Sequence, residues 1–188
     1  MLGYDEYSFF MTRVGCNTDG SFEVAEEETD LERGFVGLRY KSLSGLGDYG
    51  AVKSVYAEDY AEEDGVDVYF GSGDVVREQT EYKLSLYFFC ADESVTDIPE
   101  QCDVARSVYE SFMDFVSGGL LVYRDTVRQR RALMYLDEAS EPSTDNLLGR
   151  VYLAVTFTFK SVLGRSYPLD DTTIQDYLGV ESLPVYGS

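Results

Sequence analysis

The stretch VYLAVTFTFK, residues 151–160, alternates large apolar side chains with smaller or polar ones. Such alternation is typical of a β-strand that buries one face. Upstream, VVREQTEYKLSLYFF (75–89) follows the same pattern and predicts a second long strand. The buried faces of the two strands are predicted to consist of Val151, Leu153, Val155, Phe157, Phe159, Tyr82, Leu84, Leu86 and Phe88.

A helix is predicted between these two strands, over residues 103–117 (DVARSVYESFMDFVS). Asp103 can cap its first turn, because a carboxylate accepts hydrogen bonds from unpaired amides there. Gly118 and Gly119 end the helix, since glycine readily takes the left-handed conformation. Apolar residues at helical spacing predict a face that packs on a sheet. That core face is predicted to contain Val104, Val108, Phe112 and Phe115, with Val116 beside them.

The remaining patterns complete a fold of the α+β class, mainly β. Residues 120–124 and 130–138 read as a β-hairpin, and shorter strands are predicted at 7–15, 35–41 and 66–70. Acidic loops or arms are predicted at 20–33 and 42–65, and a further loop at 141–146. Within 42–65, residues 51–64 also fit either a helix or a short strand. We therefore expect one domain over 1–167, an antiparallel β-sandwich with one flanking helix, and a C-terminal tail over 168–188 with a short amphipathic turn at 172–178.

Charge limits the partners of this chain. It has 188 residues, with 15 basic and 35 acidic side chains, no histidine and a net charge of -20. Such a chain repels phosphate backbones and anionic lipid surfaces, so we expect neither specific nucleic-acid binding nor membrane binding. Solubility alone also explains the acidity. The three cysteines, Cys16, Cys90 and Cys102, are too few and too scattered for a disulfide scaffold.

No pattern of catalytic or cofactor-binding residues stands out. Without histidine there is no Ser-His-Asp triad and no histidine zinc site, and three scattered cysteines cannot form a zinc site alone. Gly45, Gly47 and Gly50 match the spacing of a dinucleotide-binding loop, but that motif needs a following helix and further βαβ units. The acidic runs 26–30 and 61–65 are read as solvated loops. We expect no enzyme activity, no cofactor and no bound metal.

The segments from 74 to 167 resemble the N-terminal domain of siphophage distal tail proteins, and more loosely the tail-tube fold. The resemblance rests on the order of REQTEYKLSLYFF, ARSVYESFMDFVSGG, LLVYRDTVRQRRALMYLDEASEP and GRVYLAVTFTFKSVLGRSYP. It implies a structural protein of a phage or prophage tail, assembled in the cytoplasm and then carried in the virion tail. Its partners would be copies of itself, in a ring that is hexameric in the family, and other tail proteins.

The resemblance also implies that the subunits meet through strand edges and exchanged arms, in a ring that joins tail tube to tail tip. An acidic lumen would let DNA pass without adhering. We take as candidate interface residues Tyr49, Val52, Val55, Tyr56, Arg128, Arg130 and Arg131. The three arginines are read as a hairpin tip that pairs with an acidic neighbouring subunit. An alternative is a β-sandwich module that binds carbohydrate or protein, and an enzyme that uses carboxylates is a third hypothesis.

Overall fold

The computed structural model describes residues 9–47, 79–147 and 149–186, and the backbone of 56–59 and 66–69. It confirms the predicted class, α+β and mainly antiparallel β. The strands are β1 (Phe9–Cys16), β2 (Phe22–Val24), β3 (Thr29–Asp30), β4 (Leu38–Ser44), β5 (Tyr56–Asp59), β6 (Val66–Tyr69), β7 (Glu81–Phe89), β8 (Leu120–Asp125), β9 (Arg130–Ala139), β10 (Ser143–Leu147), β11 (Arg150–Ser161) and β12 (Tyr167–Pro168). The helices are α1 (Leu31–Gly34), α2 (Ile98–Val116) and α3 (Thr173–Leu178).

Ten of the strands form one antiparallel sheet. Its main order is β2-β1-β8-β9-β11-β7-β4, with β3 beside β1, β10 beside β11 and β12 beside β9. The central pair, β11 and β7, is in register from Tyr152 opposite Phe89 to Lys160 opposite Glu81. All nine side chains predicted to line the buried faces of these two strands are buried, so the alternation predicted them correctly.

The sheet curls so that strands far apart in the order face each other. The ring of Phe9, in β1, stacks on the ring of Tyr40, in β4, with centroids 3.9 Å apart. Apolar side chains from β1, β4, β7, β8, β9 and β11 share one core cluster with α2. The two layers expected of a sandwich are therefore parts of one continuous sheet, and α2 packs against β7 and β11.

Helix α2 confirms the predicted helix but begins five residues earlier, so the prediction of Asp103 as N-cap is wrong. The cap is Asp97, whose carboxylate accepts a hydrogen bond from the amide of Glu100 at 3.2 Å. Pro99 lies in the first turn, where the missing amide proton costs nothing. Of the predicted core face, Phe112 is buried, Val108 and Phe115 are half-buried against the core, and Val104 is half-buried.

The acidic segment 20–33 is not the irregular arm that was predicted. It contains β2, β3 and α1, which follow the outer edge of β1. Two of its carboxylates, on Glu28 and Asp30, are buried rather than solvated. Asp30 caps α1 by accepting hydrogen bonds from the amides of Glu32 and Arg33.

Two further segments, predicted as a loop and as a C-terminal tail, are also structured. Residues 143–147 form β10, which pairs with the start of β11, the next strand along the chain. Residues 168–186 are not a free tail. The predicted amphipathic turn is confirmed as α3, and Ile174, Leu178 and Leu183 join a second core cluster on the other side of β1, β8 and β9.

Tyr123 is expected to limit stability at alkaline pH. Its ring is buried, and its hydroxyl has no hydrogen-bond partner in the part of the chain that the structure describes. Burial, with the nearby Asp125 carboxylate, raises the pKa of this hydroxyl well above its ordinary value of 10.0. The unfolded chain therefore releases this proton first, so the free energy of unfolding falls as the pH rises above about 10.

Replacing Tyr123 by Phe should remove this contribution to the alkaline loss. Urea unfolding between about pH 8 and pH 11 measures it. At pH 8 the variant should match or exceed the native stability, because the hydroxyl that is lost has no partner. A variant that is less stable at pH 8 and keeps the full alkaline slope would contradict this account.

Candidate assembly interface

The strands β5 and β6 stand apart from the large sheet. They pair with each other in register, from Tyr56 opposite Tyr69 to Asp59 opposite Val66. In the described backbone they pair with no strand of the ten-stranded sheet. They lie in the connection between β4 and β7, which are direct neighbours in that sheet. The hairpin is thus an addition to a completed strand pair.

Four of the predicted interface residues fall in this connection. Tyr49, Val52 and Val55 lie outside the described residues. Tyr56 begins β5, where only its backbone is described. The segment 51–64 fits either a helix or a strand by sequence, and its part from Tyr56 to Asp59 is a strand. The residues directly after Gly47, where a dinucleotide motif requires a helix, lie outside the described residues together with Gly50, and the next described element is strand β5.

The outer edge of β4 is partly closed by side chains of the same chain. The amide of Tyr40 donates to the Glu32 carboxylate at 3.0 Å. The Arg128 guanidinium donates to the carbonyl of Leu43 at 3.4 Å. Backbone groups that already have side-chain partners are poor templates for another strand. Edge-to-edge pairing through β4 is therefore disfavoured.

Strand β10 offers a more open edge. It pairs with β11 on one side only, and Ser143–Asn146 are all exposed. The Ser143 hydroxyl turns back to donate to the Ala154 carbonyl, on the paired side. Its sequence, STDNL, is polar, and this polarity discourages indiscriminate strand addition.

The three predicted arginines are engaged within their own subunit. Arg128 pairs with the buried Asp125 carboxylate, with 2.6 Å between Nη1 and Oδ2. Arg130 donates from Nε to the Ser166 hydroxyl at 2.6 Å. Arg131 is only 7% exposed, and burial is the main cause that lowers its pKa. Only Arg128, whose side chain is 40% exposed, has much surface left for a neighbouring subunit.

A buried ionic cluster was not predicted from the sequence. Its members Glu28 and Arg124 both interact electrostatically with the buried Arg131. The Glu28 carboxylate accepts two hydrogen bonds from Arg124, from Nε at 2.8 Å and from Nη2 at 2.5 Å. It also accepts one from the backbone amide of Tyr186 at 2.8 Å. The guanidinium of Arg124 lies 4.0 Å from the centroid of the Phe10 ring. One carboxylate thus joins the segment before β3, strand β8 and the end of the described chain.

A second unpredicted feature lies on the outer side of the sheet, facing away from α2. Arg39 lies 5.5 Å from the ring centroid of Phe89, and Lys41 lies 5.1 Å from that of Tyr87. Tyr152 contacts both of these rings from β11, and its ring centroid lies 6.1 Å from that of Tyr87 and 5.5 Å from that of Phe89. We call these five residues of β4, β7 and β11 the cation–aromatic face. The sequence signal for it is the large aromatic residues at outward positions of otherwise alternating strands.

The described residues contain no group of three or more side chains suited to hold a metal ion. A depression of about 470 Å³ opens between the end of β1, the end of α2 and β9, with Leu120 and Leu136 in its lining. Cys16 lies at its rim, and Cys16, Cys90 and Cys102 are free thiols. None of the helices in the described part of the chain is both long and apolar enough to span a bilayer.

No protein-family model and no curated protein matches this chain. Among solved structures, the chain is similar to the SPP1 Dit (gp 19.1) protein, described as a paradigm of the hub adsorption apparatus of phages that infect Gram-positive bacteria. The identity is 15%, the match covers 85% of this chain and 52% of that one, and the TM-score is 0.46. The chain is also similar to the phage P2 baseplate in its activated conformation with Ca, at 14% identity, 83% and 44% coverage and a TM-score of 0.44. This chain spans about half the length of the chains it matches.

Proposed function

We propose that this chain is a structural protein of a phage or prophage tail, which assembles with copies of itself into a closed ring between tail tube and tail tip. The observation that carries the proposal is the β5–β6 hairpin, which pairs only with itself in the described backbone and extends from a completed strand pair. A lone two-stranded hairpin is marginally stable in water, so it needs a surface to pack on.

The order of elements supports the same role. The resemblance to distal tail proteins rests on a strand, a helix, a hairpin and a strand in succession, and β7, α2, β8–β9 and β11 follow in that order. These elements build the core, whereas the hairpin and the open edge of β10 remain for contacts between subunits. A contact between two different surfaces closes into a ring when the rotation per subunit divides a full turn.

Chemistry gives no competing role. In the described residues no cluster of metal ligands is present, and the groups with a shifted pKa are tyrosines buried in the core, carboxylates in turns, and the cations Arg128, Arg131 and Lys160. Such groups are explained by burial and by local hydrogen bonds, without a catalytic site. We place the protein in the cytoplasm during assembly and in the virion tail afterwards.

Deleting the hairpin tests the proposal. Residues 57–68 would be replaced by a short Gly-Ser linker, and both chains compared by sedimentation velocity and native mass spectrometry over a range of concentrations. The full chain should form a ring of defined stoichiometry. The deletion should weaken association by about a hundredfold or more, because it removes an interface element. Circular dichroism should show the rest of the fold intact, since the hairpin pairs with no strand of the large sheet in the described backbone.

The double variant E26A/E27A is the control, because it removes two exposed acidic side chains that lie outside the hairpin. It should assemble like the native chain. A full chain that remains monomeric at every concentration would contradict ring assembly. A ring that still forms after the deletion would contradict only the role of the hairpin, and ring assembly would stand.

A further inference from the structure

In the part of the chain that the structure describes, the cation–aromatic face is left uncovered by its own subunit. Helix α2 packs on the inner side of β7 and β11, and α3 with its flanking residues covers the outer side of β1, β8 and β9. Neither core cluster includes Tyr87, Phe89 or Tyr152, and all three rings are half-buried. Among the described elements, none packs on this face.

The charge of this face is opposite to that of the whole chain. Arg39 and Lys41 are exposed, and neither forms an ion pair with a carboxylate of the described residues. The Arg39 guanidinium donates to the Leu38 carbonyl at 3.0 Å, whereas the arginines at 124, 128 and 130 bond to side chains of their own subunit. Asp145 lies opposite Tyr152 in β10, so it marks the acidic margin of the face. In a chain of net charge -20, these two exposed cations offer an acidic partner a local attraction.

The hairpin has the complementary chemistry. Residues 56–69 read YAEDYAEEDGVDVY, with no basic residue. Their carboxylates are Glu58, Asp59, Glu62, Glu63, Asp64 and Asp67, and their aromatic residues are Tyr56, Tyr60 and Tyr69. Carboxylates can pair with Arg39 and Lys41, and tyrosine rings can pack beside Tyr87, Phe89 and Tyr152.

We infer that the cation–aromatic face of one subunit receives the acidic β5–β6 hairpin of a neighbouring copy of this chain. The inference rests on the proposed ring assembly and gives it a direction. Each subunit offers a hairpin to one neighbour and a face to the other, so the contact joins two different surfaces, as a closed ring requires. The contact is partly ionic, so association weakens as salt screens the charges, over a Debye length of about 10 Å at 0.1 M.

Charge reversal on each side of the contact tests the inference in the full-length chain. R39E/K41E reverses the face, and E62K/E63K reverses the hairpin. Each pair should weaken association about tenfold or more in sedimentation velocity, because like charges then meet. The single variant R39E is compared with the control R106E, since Arg106 is an exposed arginine on α2. R106E should leave association within about twofold of the native value.

Mixing the two reversed chains is the decisive measurement. The Glu-bearing face of the first chain then meets the Lys-bearing hairpin of the second, and the native face of the second meets the native hairpin of the first. Native mass spectrometry should show alternating mixed rings at concentrations where neither chain assembles alone. A single chain with all four reversals, whose net charge is again -20, should assemble within about threefold of the native chain.

The outcomes separate the inference from the proposed function. If the native chain forms rings and neither charge-reversed variant associates more weakly, the inference is overturned and ring assembly stands. A failure of the mixed chains to assemble, with each alone weakened, would also overturn it, because the hairpin would then act within its own subunit. A native chain that does not associate at all would overturn ring assembly and the inference together.

Discussion

Replacing Glu28 by alanine is expected to lower the free energy of unfolding by about 3–5 kcal/mol. The side chains of Glu28 and Arg124 are 2% and 10% exposed, and two hydrogen bonds join them. Without the carboxylate, the guanidinium of Arg124 is left buried with no counter-charge, next to the buried Arg131. The amide of Tyr186 also loses its acceptor, so the C-terminal segment loosens.

Urea unfolding measures this effect, with the midpoint falling at an unchanged slope. E27A is the matched control, since Glu27 is exposed one residue away, and its effect should stay within about 0.5 kcal/mol. The double variant E28A/R124A should be less destabilised than the sum of the two single variants by about 1–3 kcal/mol, because it leaves neither partner unpaired. Strict additivity would mean that the pair does not act as a unit.

Phe112→Ala is expected to lower the free energy of unfolding by about 3–5 kcal/mol. Phe112 is fully buried at the centre of the contact between α2 and the sheet. Its ring meets those of Phe157, Phe35 and Phe88, with centroids 5.0, 5.4 and 5.8 Å away. Truncation leaves a cavity walled by aromatic rings on two strands and on the α1–β4 connection, which cannot all close in together.

The control for Phe112 lies on the same helix. Phe115 is half-buried and contacts Phe35 and the Arg13 guanidinium, so F115A should cost clearly less, about 1–2 kcal/mol. F112L should cost less than F112A because it fills much of the space. Thermal unfolding and urea unfolding should rank the three variants alike. Equal losses for F112A and F115A would show that the helix packs through a different face.

The long strands were predictable because their burial repeats every second residue, and this period is a local property. Tyr82 and Phe159 illustrate it, since both face the core as the alternation requires. The wrong prediction of where α2 begins also has a local cause. Pro99, two residues after the capping Asp97, favours the first turn of a helix and was the signal for the earlier start.

The structure of the acidic segment 20–33 could not be predicted from the sequence of that segment alone. Glu28 stands in a run of carboxylates, and its burial depends on Arg124, which is 96 residues away along the chain. One signal was available, since a charged residue in the apolar strand LLVYRD calls for a buried partner. Strand β10 is similar, because its polar residues become a strand only through the adjacent edge of β11.

The outward aromatic residues of the cation–aromatic face follow the alternation and so were placed on the correct side of the strands. What the sequence does not reveal is that β4 lies beside β7, because a long connection separates them. That adjacency brings Arg39 and Lys41 over Phe89 and Tyr87. Arg130 was assigned to an interface because its partner Ser166 is 36 residues away, whereas the partner of Arg128, Asp125, is only three residues away and could have been found locally.

The pairing of β4 with β7 has a consequence for how such proteins diversify. Ser44 lies opposite Lys83, so the large sheet already holds the two ends of residues 45–82 together. Doubling the length of such a connection costs only about 0.6 kcal/mol of closure entropy. Natural variation can therefore lengthen, shorten or replace the part of this connection between the buried Leu46 and Thr80 while the core is inherited unchanged. The same position is a graft point, where a foreign peptide inserted in place of the hairpin would be displayed on an intact scaffold.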